Sequence, residues 1–147
     1  MGDKRPSTQD LVGTWRLISY AELDDTGATY PWGENVVGRI TYEPGGRMAV
    51  QMARSDRPRL SASDLAALKP DEYREAFLSY FSYFGRYTMQ EGAVVHHVES
   101  ASTADWVGTD QVRYCEIAGR RLTLRTPQLD LTDGRKGVLV AVWERME

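Results

Sequence analysis

Cysteine is nearly missing from this sequence. Cys115 is the single one among 147 residues, so no internal disulfide and no cysteine metal cluster can form. Long apolar runs are missing too. None approaches the roughly 20 residues of a membrane-spanning helix, and no membrane partner is expected. The opening MGDKRPSTQD is polar and lacks the apolar centre of a signal peptide, so the expected location is the cytoplasm. There is no basic excess: Lys plus Arg number 18 against 21 Asp plus Glu, a net charge of −3. Nucleic-acid binding needs a basic face, so no nucleic-acid partner is expected. The charges are interspersed, which also excludes an acidic tail. No serine-nucleophile motif, phosphate loop or dinucleotide fingerprint occurs, and no cofactor is expected. Nothing in the sequence specifies an oligomeric state.

What is present is a series of short alternating segments separated by turn residues. A flexible lead over residues 1–10 precedes a single domain over 11–147. The first strand spans Thr14 to Leu23. Strict alternation puts Trp15, Leu17, Ser19 and Ala21 on one face and Arg16, Ile18, Tyr20 and Glu22 on the other. Residues 24–27 read as a turn. Tyr30-Pro31-Trp32-Gly33 reads as a loop that either tucks its rings onto the domain or makes the rim of a site. Segments 38–43 and 47–53 make a hairpin across Pro44-Gly45-Gly46. The basic stretch Arg54 to Leu60 is a solvated connection or an anion contact, and Ser61 or Ser63 caps a short helix through Leu68. Further strands are expected over 86–90, 93–100, 111–117, 121–126 and 138–145. Eight short strands joined by tight turns point to an antiparallel barrel, whose interior is either filled by side chains or holds one small ligand.

One segment reads as helix. Over 70–87, Tyr73, Phe77, Tyr80, Phe81 and Phe84 recur at helical spacing on one face. Pro70 suits a first turn, Asp71 and Glu72 suit its positive end, and Gly85 suits the stop. Such a helix is expected to bury its rings, either as a lid or plug on the barrel or packed against the sheet.

Several segments then acquire a familiar look. Gly13-Thr14-Trp15 opening the first strand, with Arg145 late in the last, resembles the lipocalin signature, in which an Arg of the final strand covers a Trp at the closed end. LVGTWRLISY (11–20), YPWGENVVGRITYEPGGRMAVQM (30–52), YFGRYTM (83–89), VVHHVES (94–100), DWVGTDQVRYCEI (105–117), RLTL (121–124) and VWER (142–145) together resemble the small bacterial lipocalin-like domain family. The resemblance covers nearly the whole chain. It implies a barrel with a cup, with Gly13, Trp15 and Arg145 in structural roles. The helix between the third and fourth strands departs from the secreted lipocalin plan, where the helix follows the barrel. Function on such a scaffold resides in the cup residues.

The expected inner face carries Ile40, Tyr42, Met48, Val50, Met52, Tyr87, Met89, His96, Val98, Leu122 and Leu124. Phe77, Tyr80, Phe81 and Phe84 would cover it from the helix, and Trp106 would touch the rim. Adaptable methionines and flat tyrosines suit a planar apolar ligand with a few polar groups, or else simply fill a core. His96 is the principal candidate for chemistry and Tyr87 the second. An inward imidazole can anchor a hydroxyl or carbonyl, act as general acid or base, or sit in the core satisfied by a tyrosine or a carbonyl. His97 should face solvent, with Glu99 as a possible partner. The two histidines point to opposite faces, so no metal site is expected. Arg86 should face outward, and Cys115 reads as buried and inert.

Three functions fit this reading: binding of a small apolar metabolite, aromatic or polycyclic; a cofactor-free cyclase or isomerase of natural-product biosynthesis using the same cup, which the family resemblance implies; and an interaction domain with a full barrel whose outer face carries Tyr20 and Trp143.

Overall fold

The computed structural model describes residues 5–147, apart from the side chain of Thr132. Ten strands form one sheet: β1 (Gly13–Asp24), β2 (Gly27–Thr29), β3 (Val36–Tyr42), β4 (Arg47–Arg54), β5 (Tyr80–Gln90), β6 (Ala93–Ala101), β7 (Asp110–Ala118), β8 (Arg121–Arg125), β9 (Leu129–Asp130) and β10 (Lys136–Arg145). The short β2 and β9 are flanking pieces. The other eight run in the order β1-β3-β4-β5-β6-β7-β8-β10, and β10 returns to pair with β1. All these pairings are antiparallel, so the eight long strands close into the expected barrel and leave no open edge. Among the described residues two α-helices accompany it, α1 (Thr8–Leu11) and α2 (Pro70–Leu78).

The long aromatic helix is corrected to a short one. Only Pro70–Leu78 is helical, and Tyr80, Phe81 and Phe84 are strand residues. From Phe81 onward the sequence also alternates with period two. Phe81, Tyr83, Gly85, Tyr87 and Met89 share one face, while Ser82, Phe84, Arg86 and Thr88 share the other. Ladders to β4 and β6 satisfy this backbone on both sides, and aromatic side chains suit a pleated, half-buried surface. Two ladders outweigh helical spacing. Gly85 is therefore no helix stop. It lies in mid-strand beside a register shift of the β5–β6 ladder, where an added Cβ would come within 1.9 Å of the His97 carbonyl oxygen.

α2 buries none of its residues, contrary to expectation. Tyr73 and Phe77 stay about half exposed. Polar ties hold it instead. Arg54 pairs with Glu75, and Arg57 donates through Nε to Ser79 Oγ at 2.9 Å and through Nη2 to the Ala76 carbonyl at 3.2 Å. The basic loop over 54–60 is thus the strap of the helix. Asp64, not a serine, caps the short 3-10 turn Leu65–Ala67, while Ser61 bonds to Glu72 in the first turn of α2.

β1 also departs from strict alternation. Its register against β10 shifts between Leu17 and Ser19. A bulge exchanges the two faces of a strand beyond it. Trp15 and Leu17 point inward before it, and Tyr20 and Glu22 line the interior after it.

One end of the barrel is filled. Trp15 is fully buried, its indole N–H donates to the Leu11 carbonyl at 2.9 Å, and the Arg145 guanidinium lies 4.1 Å from its ring centroid. Arg145 also donates to the carbonyls of Asp10 and Val12. Gly13 sits at φ +132°, and an added Cβ would stand 2.8 Å from an Arg145 nitrogen. Of the expected flexible lead, residues 1–4 lie outside the described residues. Ser7 caps α1, so the lead's last residues fold onto this closed end.

Candidate ligand-binding site

Above the filled end the barrel encloses a cavity of about 380 Å³. That volume lies in the range of small-molecule sites. Nine of the residues singled out in the sequence line it: Ile40, Val50, Met52, Phe77, Tyr80, Phe81, His96, Trp106 and Leu124. They come from β3, β4, the end of α2, β5, β6, the 3-10 turn Ala104–Trp106 and β8. The others lie elsewhere. Tyr42, Met48, Tyr87 and Val98 are packed in the core, with Met89 against it. Phe84 faces outward and is half exposed. Tyr87 has spent its hydroxyl, which donates to the Glu43 carbonyl at 2.6 Å.

Sequence reasoning missed Tyr20, Glu22, Tyr83, Arg113 and Trp143 on the cavity wall, while Trp32 lies there as the rim alternative for its loop had it. Tyr20 and Glu22 were hidden by the bulge in β1. Trp143 was expected outside, and this is corrected: it pairs in register with Leu17 and Leu122, both core residues, and is 1% exposed. Tyr83 was hidden by the helix assignment, although the alternation around it was a usable signal. Trp32 closes part of the mouth, donating its indole N–H to the Leu78 carbonyl at 3.1 Å and packing on Tyr20 with centroids 4.9 Å apart.

The polar centre is His96, which is 1% exposed. Its Nε2 lies 2.6 Å from the Tyr42 hydroxyl and its Nδ1 lies 2.6 Å from the Tyr83 hydroxyl. Burial pushes the imidazole down to about 3, helped by the Arg113 charge and by His97. The ring is therefore neutral near pH 7, with one donor and one acceptor nitrogen. The Tyr42 hydroxyl is buried and bonds to His96 alone among the described residues. Leaving its proton unpaired would be costly, so Tyr42 donates to Nε2. Nδ1–H then donates to Tyr83, whose own proton is free to point into the cavity. Arg113 lines the same cavity, and its charge works against the burial that raises the Tyr83 phenol. His97, outside, takes Asp110 as its partner at 2.7 Å, not Glu99.

This burial has a consequence for acid stability. Above pH 6.5 His96 is neutral in both states and contributes no pH dependence. Between about 3 and 6.5 only the unfolded chain takes up the proton, so stability falls as pH falls. From this group alone the barrel should be about 2 kcal/mol less stable at pH 5 than at pH 7. Urea denaturation at the two pH values should show that loss, and His96→Gln should remove it.

Other charges at the cavity are compensated. Glu22 faces Arg135 at 2.6 Å, and Arg135 also holds Asp24 at 2.6 Å. Burial drives the Tyr20 phenol up to about 12, with Glu22 adding to the shift. Cys115 is buried in the filled end, and burial raises its thiol to about 11. No group of His, Cys, Asp and Glu among the described residues could hold a metal ion. No helix among them is long and apolar enough to cross a membrane.

The comparisons agree with this architecture. A curated relative, "4'-hydroxy-3'-methoxypropiophenone carrier protein ppsC" of Aspergillus oryzae (strain ATCC 42149 / RIB 40), is 27% identical over 107 residues, covering 67% of this chain and 96% of that protein. No solved structure matches the chain significantly. The family model described as "Lipocalin-like domain" matches residues 12–146, a span that takes in every long strand of the closed barrel and the Trp15–Arg145 pair. The chain belongs to the lipocalin-like domain family.

Proposed function

We propose that this protein binds and carries a flat, apolar aromatic metabolite in the open half of its barrel. The observation that carries this reading is a cavity walled by aromatic side chains above a solidly packed floor. Phe81, Tyr83 and Trp106 pack edge-on or tilted with centroids 5.1–5.6 Å apart, and all three line the cavity. Such walls suit planar ligands. A relative whose name gives it a phenolic aryl ketone as cargo supports the same class. Trp32, Trp106 and Trp143 line the cavity, whereas Trp15 sits in the filled end. Titration with 4'-hydroxy-3'-methoxypropiophenone should therefore quench most of the tryptophan emission, saturably and one-to-one. If neither this ketone nor any other flat apolar probe quenches saturably, the reading fails.

A second reading has its own observation, the imidazole bonded to Tyr83 at the cavity wall. A cofactor-free cyclisation or isomerisation would use the cup to hold a flexible substrate near its reactive shape, with Tyr83 and His96 polarising a carbonyl. A substrate-dependent rate that His96→Ala abolishes, with the fold intact, supports it; a rate that His96→Ala leaves unchanged excludes that role. The interaction-domain reading has lost its basis, since Tyr20 and Trp143 line the cavity.

A further inference from the structure

The polar groups deep in the cavity are donors in want of an acceptor. Tyr83 has a spare hydroxyl proton, because its oxygen already accepts from His96 Nδ1–H. Arg113 reaches the same spot from β7. It lies 5.6 Å from the Trp106 ring centroid and donates to its neighbouring Val112 carbonyl at 2.9 Å, and it forms no ion pair among the described residues. Trp143 lines the cavity with an indole N–H that is buried and has no hydrogen-bond partner. A buried donor without a partner is costly, and here the cavity is the place from which a partner can come. The one carboxylate on the wall, Glu22, is occupied by Arg135.

We propose that Tyr83 and Arg113 form a seat for a ligand carbonyl oxygen, so that the cavity selects aryl ketones and quinone-like carbonyls over hydrocarbons and protonated amines of the same shape. This deepens the carrier reading and rests on it. Tyr83 is the contacting donor. His96 and Tyr42 are positioning residues: Tyr42 fixes the tautomer, and the tautomer turns the Tyr83 proton toward the ligand. Consecutive hydrogen bonds polarise one another, so the chain Tyr42–His96–Tyr83 strengthens the last donor. A protonated amine brings only donors and a positive charge to this seat and meets the Arg113 charge. The titratable and charged groups facing the seat are Tyr20 and Glu22 on β1, Tyr83 on β5, His96 on β6 and Arg113 on β7.

The test compares a carbonyl-labelled aryl ketone with the alkylbenzene that lacks its oxygen, by calorimetry and by difference infrared spectroscopy. The ketone is expected to bind more tightly than the hydrocarbon. Its carbonyl band should lie at lower frequency bound to the wild type than bound to Tyr83→Phe. Tyr83→Phe and Arg113→Met should each weaken the ketone roughly tenfold or more and the hydrocarbon much less. His96→Gln should raise the band part of the way while the hydrocarbon still binds. Two results overturn the seat but leave the carrier reading standing: equal affinity for ketone and hydrocarbon, or a ketone whose band and affinity ignore both variants. Failure of both probes to bind the wild type overturns the carrier reading and this inference together.

Discussion

Trp15→Ala is expected to destabilise the barrel by about 3–5 kcal/mol, the range for removing a large buried aromatic. Three losses combine. The indole is fully buried, so its removal leaves a cavity in the closed end. Its N–H no longer meets the Leu11 carbonyl, and the Arg145 guanidinium loses the ring beneath it. Arg145 ties the last strand to the start of the chain through the Asp10 and Val12 carbonyls, so a loosened Arg145 also loosens α1. Trp15→Phe keeps a ring under the guanidinium and should lose much less. Urea denaturation of the three proteins decides it. A change below about 1 kcal/mol for the alanine variant would contradict the role given to this plug.

Gly85→Ala should be nearly as damaging, although it adds a single methyl group. The new Cβ would lie 1.9 Å from the His97 carbonyl oxygen and 3.1 Å from the Glu99 nitrogen. Both are backbone atoms of the neighbouring strand, so no rotamer change relieves the clash. The β5–β6 ladder must open. Overpacking typically costs about 1–3 kcal/mol, and a backbone contact this short belongs at or beyond the upper end. Gly45→Ala provides the control, since an added Cβ there meets nothing within 4 Å. Thermal unfolding should show a large loss for the first variant and almost none for the second.

These two positions show how unevenly the sequence speaks. Trp15 and Arg145 were legible because both ends of the contact lie in a recognisable pattern. Gly85 was legible as important but for the wrong reason, because helix stops and tight strand crossings both favour glycine. The eight-stranded barrel could be read from period-two alternation and turn residues. The exact helix end could not, because residues 77–84 fit a period of 3.6 and a period of two, and only the strands on either side decide between them. The bulge in β1 left no mark that an alternation count could find, and it moved Tyr20 and Glu22 to the interior. His96 was placed inward correctly. Its partnership with Tyr83 required knowing which residues face each other across β5 and β6. The division of the barrel into a filled end and a hollow half depends on three-dimensional packing, which sequence spacing does not encode. Met48 illustrates this: it was a cup residue by pattern and is a core residue in fact.

The measurement that bears most directly on a ligand-holding cavity is a calorimetric titration with a flat apolar dye, run on the wild type and on Ala141→Trp. Ala141 lines the cavity from β10, in register with Tyr20 on one side and Leu124 on the other. An indole there occupies the space a ligand would use, whereas a change at Met48 would disturb only the filled end. Saturable one-to-one binding by the wild type, abolished in Ala141→Trp while its circular dichroism stays that of the barrel, is the expected result. Binding that survives Ala141→Trp, or no binding by the wild type, would contradict it.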